Sequence, residues 1–118
     1  MLIAVYGTLK TGEENYERLL SGRMPSFRGF VAIPYRMYEN GAYPMLVPSP
    51  SKSRIFVEVF DVDDTKVREL DAFEAPYDYS REKVLLSEWG REVEIYVHAA
   101  PPPEGFTLVS SGQWNGER

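Results

Sequence analysis

Residues Arg54 to Val62 constrain the fold more than any other stretch of this chain. Ile55, Val57 and Val59 alternate with Phe56, Phe60 and Val62, so a strand here is apolar on both faces except at Glu58. Such a strand cannot face water on either side. It has to run through the middle of a sheet that is covered on both faces.

The remaining elements are expected to supply that cover. Leu2 to Val5 is an unbroken apolar run and reads as a second buried strand. Phe27 to Glu39 reads as one or two strands interrupted at Pro34, with Tyr35, Met37 and Glu39 sharing a face. Asn40-Gly41 is a tight-turn pair, Tyr43 to Pro48 is extended, and Ser49 to Ser53 reads as a loop. Asp63 or Asp64 caps a helix running to about Phe73, where Ala75-Pro76 stops it; Val67, Leu70 and Glu74 fall at i, i+3 and i+7 on one side. Arg81 to Leu86 and Glu92 to His98 form a hairpin around Glu88-Trp89-Gly90-Arg91. Near the N-terminus, Thr11 and Glu14 have capping-box spacing. A short helix is expected to follow, with Tyr16, Leu19 and Leu20 on one face and its end near Gly22. Beyond Val109 the tail is too polar to predict as core. With 118 residues, no repeat and no linker, the expectation is a single α+β domain over residues 1–118: a small mixed sheet curled towards a barrel, with two short helices.

The charge balance removes several functions. Thirteen basic against eighteen acidic residues give a net charge of −5, which argues against nucleic acid and anionic membrane surfaces as partners. No apolar run approaches the ~20 residues that span a bilayer, and the first one lacks the basic start of a signal peptide, so a cytoplasmic location is expected. Without cysteine there is no disulfide, thiolate nucleophile or cysteine-bound zinc. His98 is the single histidine and shares a strand face with Glu94 and Tyr96; it reads as a surface residue. No metal and no cofactor are expected.

Two features remain that carry chemistry. The first is Tyr6-Gly7-Thr8-Leu9-Lys10, where the first strand breaks at a glycine. The amides of Thr8, Leu9 and Lys10 follow without an evident ladder partner, and fixed amides of that kind suit a carboxylate or a carbonyl oxygen. Gly7 and Gly12 also have phosphate-loop spacing, but Glu13-Glu14 stand where Lys and Ser or Thr are required, which excludes a nucleotide phosphate. The second is Glu74. Helical spacing puts it on the side of Val67 and Leu70, where burial and the helix C-terminus both oppose its ionisation; the competing reading is a solvated carboxylate at a frayed helix end. Glu58 reads as the acidic half of a cross-strand ion pair, with a second catalytic carboxylate as the alternative. One tuned carboxyl beside an amide-lined turn suits a reaction whose substrate carries its own nucleophile.

Tyr6-Gly7-Thr8-Leu9-Lys10, Asn40-Gly41-Ala42-Tyr43-Pro44, Val57 to Asp63, Leu70-Asp71-Ala72-Phe73-Glu74, Tyr79-Ser80-Arg81 and Ser111-Gly112-Gln113-Trp114 occur in that order. Together they resemble the gamma-glutamylcyclotransferase-like family, and most closely its gamma-glutamylamine cyclotransferase branch. The resemblance implies a barrel-like mixed fold and an enzyme that releases 5-oxoproline and a free amine from a small gamma-glutamyl substrate. It implies that Tyr6, Gly7, Thr8 and Leu9 form the substrate-binding loop and that Glu74 is the general acid/base; Tyr43 and Tyr79 are expected to wall the pocket. Two departures stand out: Ala75-Pro76 follows the acidic residue where relatives often carry Gly, and Val57 stands in place of a frequent strand glycine. A non-catalytic module that binds a small metabolite in the same pocket is the alternative. Nothing in the sequence fixes an oligomeric state.

Overall fold

The computed structural model describes residues 1–116. Its longest strand, β3 (Pro44–Asp61), has β1 (Leu2–Val5) on one side and β2 (Phe27–Glu39) on the other, both antiparallel to it. β4 (Tyr79–Leu86) and β5 (Arg91–His98) form the expected hairpin, and β5 runs parallel to β1. β6 (Thr107–Leu108) adds to β2, giving the order β4-β5-β1-β3-β2-β6. The ends of this mixed sheet curl towards each other. The Tyr35 hydroxyl donates to Glu82 Oε1 at 2.8 Å, and the Ala32 amide donates to Glu88 Oε2 at 2.7 Å, linking β2 to β4 and to the turn that follows it.

The two faces of β3 enter two cores, as its double apolar face requires. Ile55, Val57 and Val59 pack inside the curl with Val31, Ile33, Met37, Ile95 and Val97. Phe60 and Val62 pack on the other face with Ile3, Val5, Leu9, Leu20, Val67 and Leu70. Completely burying one such side chain contributes roughly 2 kcal/mol. The second core lies under the two helices, α1 (Tyr16–Leu19) and α2 (Asp64–Glu74). Asp63 caps α2 by accepting the Lys66 amide at 2.8 Å, and Val67, Leu70 and Glu74 are its buried residues, as their spacing predicts. After Glu74 the chain tightens into a 3₁₀ turn over Ala75–Tyr77, with Pro76 at its second position, and leaves through Asp78 at φ 59°.

Three expectations need correction. Thr11 does not cap the first helix: α1 begins at Tyr16 with Asn15 at its N-cap, and the Thr11 side chain bonds Glu58 instead. Residues 49–53 are not a separate loop, because β3 runs through them. The register jumps there from Ile33–Ser53 to Tyr35–Pro48, so residues 49–52 stand against Pro34 alone, which has no N–H to offer. The tail beyond Val109 does reach the core. Trp114 is buried among the residues inside the curl. Just before it, Gly112 passes so close to β3 that a Cβ would lie 1.7 Å from the Arg54 carbonyl oxygen.

Candidate active site

The end of β1 opens into a cleft of about 410 Å³, part of it open to solvent. It is lined by the end of β1 and the turn after it, Ala4 to Leu9, by Phe73, Glu74 and Tyr77 at the end of α2, and by Tyr43, Pro44, Tyr79 and Tyr96. Glu74, Tyr6, Gly7, Thr8, Leu9, Tyr43 and Tyr79, singled out from the sequence, thus line one cavity, while Lys10 and Glu58 do not. Phe73, Pro44, Tyr77 and Tyr96 were not singled out. Phe73 and Tyr77 flank Glu74 in the chain, and Tyr96 shares a strand face with Glu94, so adjacency and alternation were the available signals.

Gly7 is required here by space. A Cβ on it would sit 2.6 Å from Pro44 Cγ, a collision with the neighbouring wall. That close approach lets β1 turn directly beneath the start of β3. The Lys10 amide closes the turn on the Gly7 carbonyl at 3.0 Å, so of the three amides expected to be open, Lys10's is used internally. Those of Thr8 and Leu9 donate to no acceptor among the described residues. Tyr6 braces the same point: its hydroxyl donates to the Tyr96 carbonyl at 2.7 Å and accepts the Leu46 amide at 3.3 Å. Burial raises its pKa well above the ordinary tyrosine value, with Tyr79 and Glu74 adding to the effect, so the hydroxyl stays protonated.

Glu74 is 7% exposed and accepts no hydrogen bond among the described residues. Burial raises its carboxyl from 4.5 to about 8. The side chain owes its position to the helix that carries it. One turn earlier, Asp71 accepts Arg81 Nε at 2.8 Å, Arg81 Nη2 at 3.2 Å and the Tyr96 hydroxyl at 2.6 Å, and Arg81 Nη1 reaches Glu94 at 2.7 Å. Partial burial opposes the Asp71 charge, but these donors outweigh it and hold the carboxyl below its usual range. α2 is thus tied to β4 and β5 by charged hydrogen bonds beside the cleft, while the carboxyl inside it has no hydrogen-bond partner among the described residues.

The aromatic wall is continuous. Tyr43 meets Tyr77 edge-on at 4.8 Å and Phe106 at 5.7 Å, and Tyr77 stacks on Tyr79 at 5.5 Å. The Tyr79 hydroxyl donates to the Pro44 carbonyl at 2.7 Å; burial and the nearby Glu74 raise its pKa. His98 stands behind this wall, its Nδ1 2.8 Å from the Ala100 carbonyl and its ring edge-on to Tyr79, and does not line the cleft. Glu58 does not line it either. It pairs with Arg28 across β2 and β3 at 3.1 Å, as the cross-strand reading predicts.

Chemically, the cleft combines the open amides of Thr8 and Leu9, a carboxyl whose pKa lies near physiological pH, and an aromatic lining. That arrangement can hold a small polar molecule and move one proton on it.

Residues 3–116 match the family described as gamma-glutamyl cyclotransferase, AIG2-like. A gamma-glutamylaminecyclotransferase of Homo sapiens is 38% identical over 138 aligned residues, covering 98% of this chain and 90% of that one. A gamma-glutamylcyclotransferase family protein of Citrobacter rodentium is 30% identical over 115 residues, covering 97% and 95%. The crystal structure of an AIG2-like protein from Mus musculus superposes with a TM-score of 0.71 at 28% identity, covering 97% of this chain and 87% of that chain.

Proposed function

The chain belongs to the gamma-glutamyl cyclotransferase, AIG2-like family, and from that premise we propose that it converts a gamma-glutamyl amine or amide into 5-oxoproline and a free amine, with Glu74 as the general acid/base. The observation that carries this reading is that Glu74, buried, without a hydrogen-bond partner among the described residues and shifted to about 8, lines the same cleft as Thr8 and Leu9, whose amides are open.

In the reaction the substrate's α-nitrogen attacks its own γ-carbonyl carbon. The new C–N bond closes a five-membered lactam, and the C–N bond to the leaving amine breaks. Holding the two ends of one molecule together corresponds to an effective concentration of ~10⁵ M or more, so the first task of the cleft is to fold the glutamyl chain. The α-nitrogen begins as an ammonium and ends as a lactam N–H, losing two protons. The leaving nitrogen begins as an amide N–H and departs as an ammonium, gaining two. In its ionised form Glu74 accepts the two protons one after the other from the first and delivers each to the second, ending ionised again, so the exchange balances without an outside acid. A carboxyl near 8 lies close enough to an amine's pKa for transfer in either direction. The amides of Thr8 and Leu9 offer hydrogen bonds to the substrate carboxylate or to the oxyanion that forms during attack. Tyr43 and Tyr79 close the cleft around the glutamyl chain and keep water from it. Support for an amine as leaving group comes from the relatives named gamma-glutamylaminecyclotransferases.

The test is to incubate the protein with a panel of gamma-glutamyl amines and gamma-glutamyl amino acids and to detect 5-oxoproline by mass spectrometry. Formation of 5-oxoproline from at least one class, with stoichiometric free amine, is the expected result. No product across the panel, with binding retained, would make the cleft a sensor of such compounds rather than a catalyst.

A further inference from the structure

Glu58 is a second buried carboxylate, 1% exposed, and the chemistry above leaves it unused. It lies on β3 opposite Val5, the last residue of β1, on the face that the helices and Leu9 cover. Its Oε1 accepts both the Thr11 amide at 2.9 Å and the Thr11 hydroxyl at 2.7 Å, while Oε2 accepts Arg28 Nε at 3.1 Å. We propose that Glu58 is a positioning residue for the substrate loop, acting through Thr11 to hold the amides of Thr8 and Leu9 at the cleft wall. This proposal rests on the function assigned to that loop above.

An ion pair with Arg28 does not by itself account for the arrangement. The Arg28 side chain is 62% exposed, and a pair of that kind contributes little. A carboxylate taken out of water needs donors, and two of its three come from Thr11. Burial of Glu58 and docking of the loop are therefore coupled: lifting Thr11 away would strand a buried charge. The loop's own bonds make the coupling reach the cleft. Lys10 N to Gly7 O at 3.0 Å, Glu13 N to Lys10 O at 2.9 Å and Asn15 N to Thr8 O at 2.8 Å tie residues 7–15 into one unit, so fixing Thr11 also fixes Thr8 and Leu9. A second anchor acts on the same unit, because Lys10 Nζ donates to the Trp114 carbonyl and the Gly116 amide donates to Glu13 Oε1 at 3.0 Å. Donors held in place before substrate arrives need no reorganisation when charge develops.

The experiment compares Thr11→Val, Thr11→Ser and Arg28→Met with the parent protein, well below their melting temperatures. Hydrogen exchange at the bonded loop amides of Lys10 and Thr11 and kcat/KM on a substrate that the parent turns over are measured together. In Thr11→Val, exchange of the loop amides should rise and kcat/KM should fall, each by about tenfold. The inflection of the pH–rate profile set by Glu74 should stay in place, because the loop and not the acid has moved. Thr11→Ser, which keeps the hydroxyl, should restore both quantities, and Arg28→Met should stay within about twofold. Unchanged loop exchange in Thr11→Val, or a larger loss in Arg28→Met than in Thr11→Val, would overturn the proposal and leave Glu58 as a sheet ion pair. If the parent makes no 5-oxoproline, the assigned reaction fails, yet the exchange data still decide whether Glu58 holds the loop.

Discussion

Glu58 and Glu74 are two buried carboxyls treated in opposite ways. Glu58, near the C-terminal end of β3, accepts three hydrogen bonds among the described residues, two from Thr11 and one from Arg28. Glu74, at the end of α2, accepts none among the described residues, and burial drives its pKa to about 8. What separates them is the supply of donors, because both are withdrawn from water. A buried carboxyl that is given donors becomes a fixed part of the framework; one denied donors becomes an acid held ready to exchange its proton. The surroundings of the cleft follow the same division, with Asp71, Arg81, Tyr96 and Tyr6 bonded into place around a Glu74 that, among the described residues, is not.

The contrast predicts that substitutions at the two positions damage different properties. Glu74→Gln should lower kcat by about 10³ while leaving the fold intact, within the range that removal of a general acid/base costs. Steady-state kinetics with circular dichroism as a control would check it; a near-normal rate would remove Glu74 from the chemistry. Glu58→Gln should act mainly on stability, costing about 2 kcal/mol as the charged hydrogen bonds from Thr11 and Arg28 weaken, with kcat/KM falling only as far as the substrate loop loosens. Urea titration measures that loss, and a stability equal to the parent's would mean that the three donors do not support the fold. Gly7→Ala tests the wall that joins the two regions. Its Cβ would meet Pro44 at 2.6 Å, so a loss of about 2 kcal/mol is expected, with kcat/KM falling as the loop shifts.

A further effect concerns stability against pH. The folded Glu74 pKa lies above its ordinary 4.5, so between about 4.5 and 8 the folded protein holds a proton that the unfolded chain has released. Stability contributed by the neutral carboxyl is therefore present in full below 4.5, is lost as pH rises through that window, and levels off above 8. Glu74→Gln has no such slope at this position. Its stability relative to the parent should climb across the window and level off above 8, read from melting curves at several pH values. A constant difference would show that the carboxyl is not shifted.

Local signals made much of this legible in the sequence. The double apolar face of Arg54 to Val62, the Asp63 cap, the spacing of Val67, Leu70 and Glu74, and the hairpin after Tyr79 each depend on residues close in the chain. The failures all involve partners far apart. Thr11 and Glu14 have the spacing of a capping box, but the stronger acceptor for Thr11 is a carboxylate 47 positions away. Ser49 to Ser53 reads as a loop because its side chains are polar, although the strand passes through it against the gap that Pro34 leaves. Trp114 sits in a polar tail, and a lone large aromatic was the available hint that the tail returns to the core. In the cleft, Glu74 and the Tyr6 to Leu9 loop were visible from pattern. That the Lys10 amide is consumed by the turn, and that Thr8 and Leu9 keep theirs open, depends on the backbone path alone.

The most direct test is a ¹³C NMR titration of the Glu74 side-chain carboxyl in the protein without substrate, assigned by comparison with Glu74→Gln. A midpoint near 8 is the predicted result, with the carboxyl neutral through most of the physiological range. A midpoint near 4.5 would mean that Glu74 is an ordinary solvated carboxylate, and would contradict its assignment as the proton carrier.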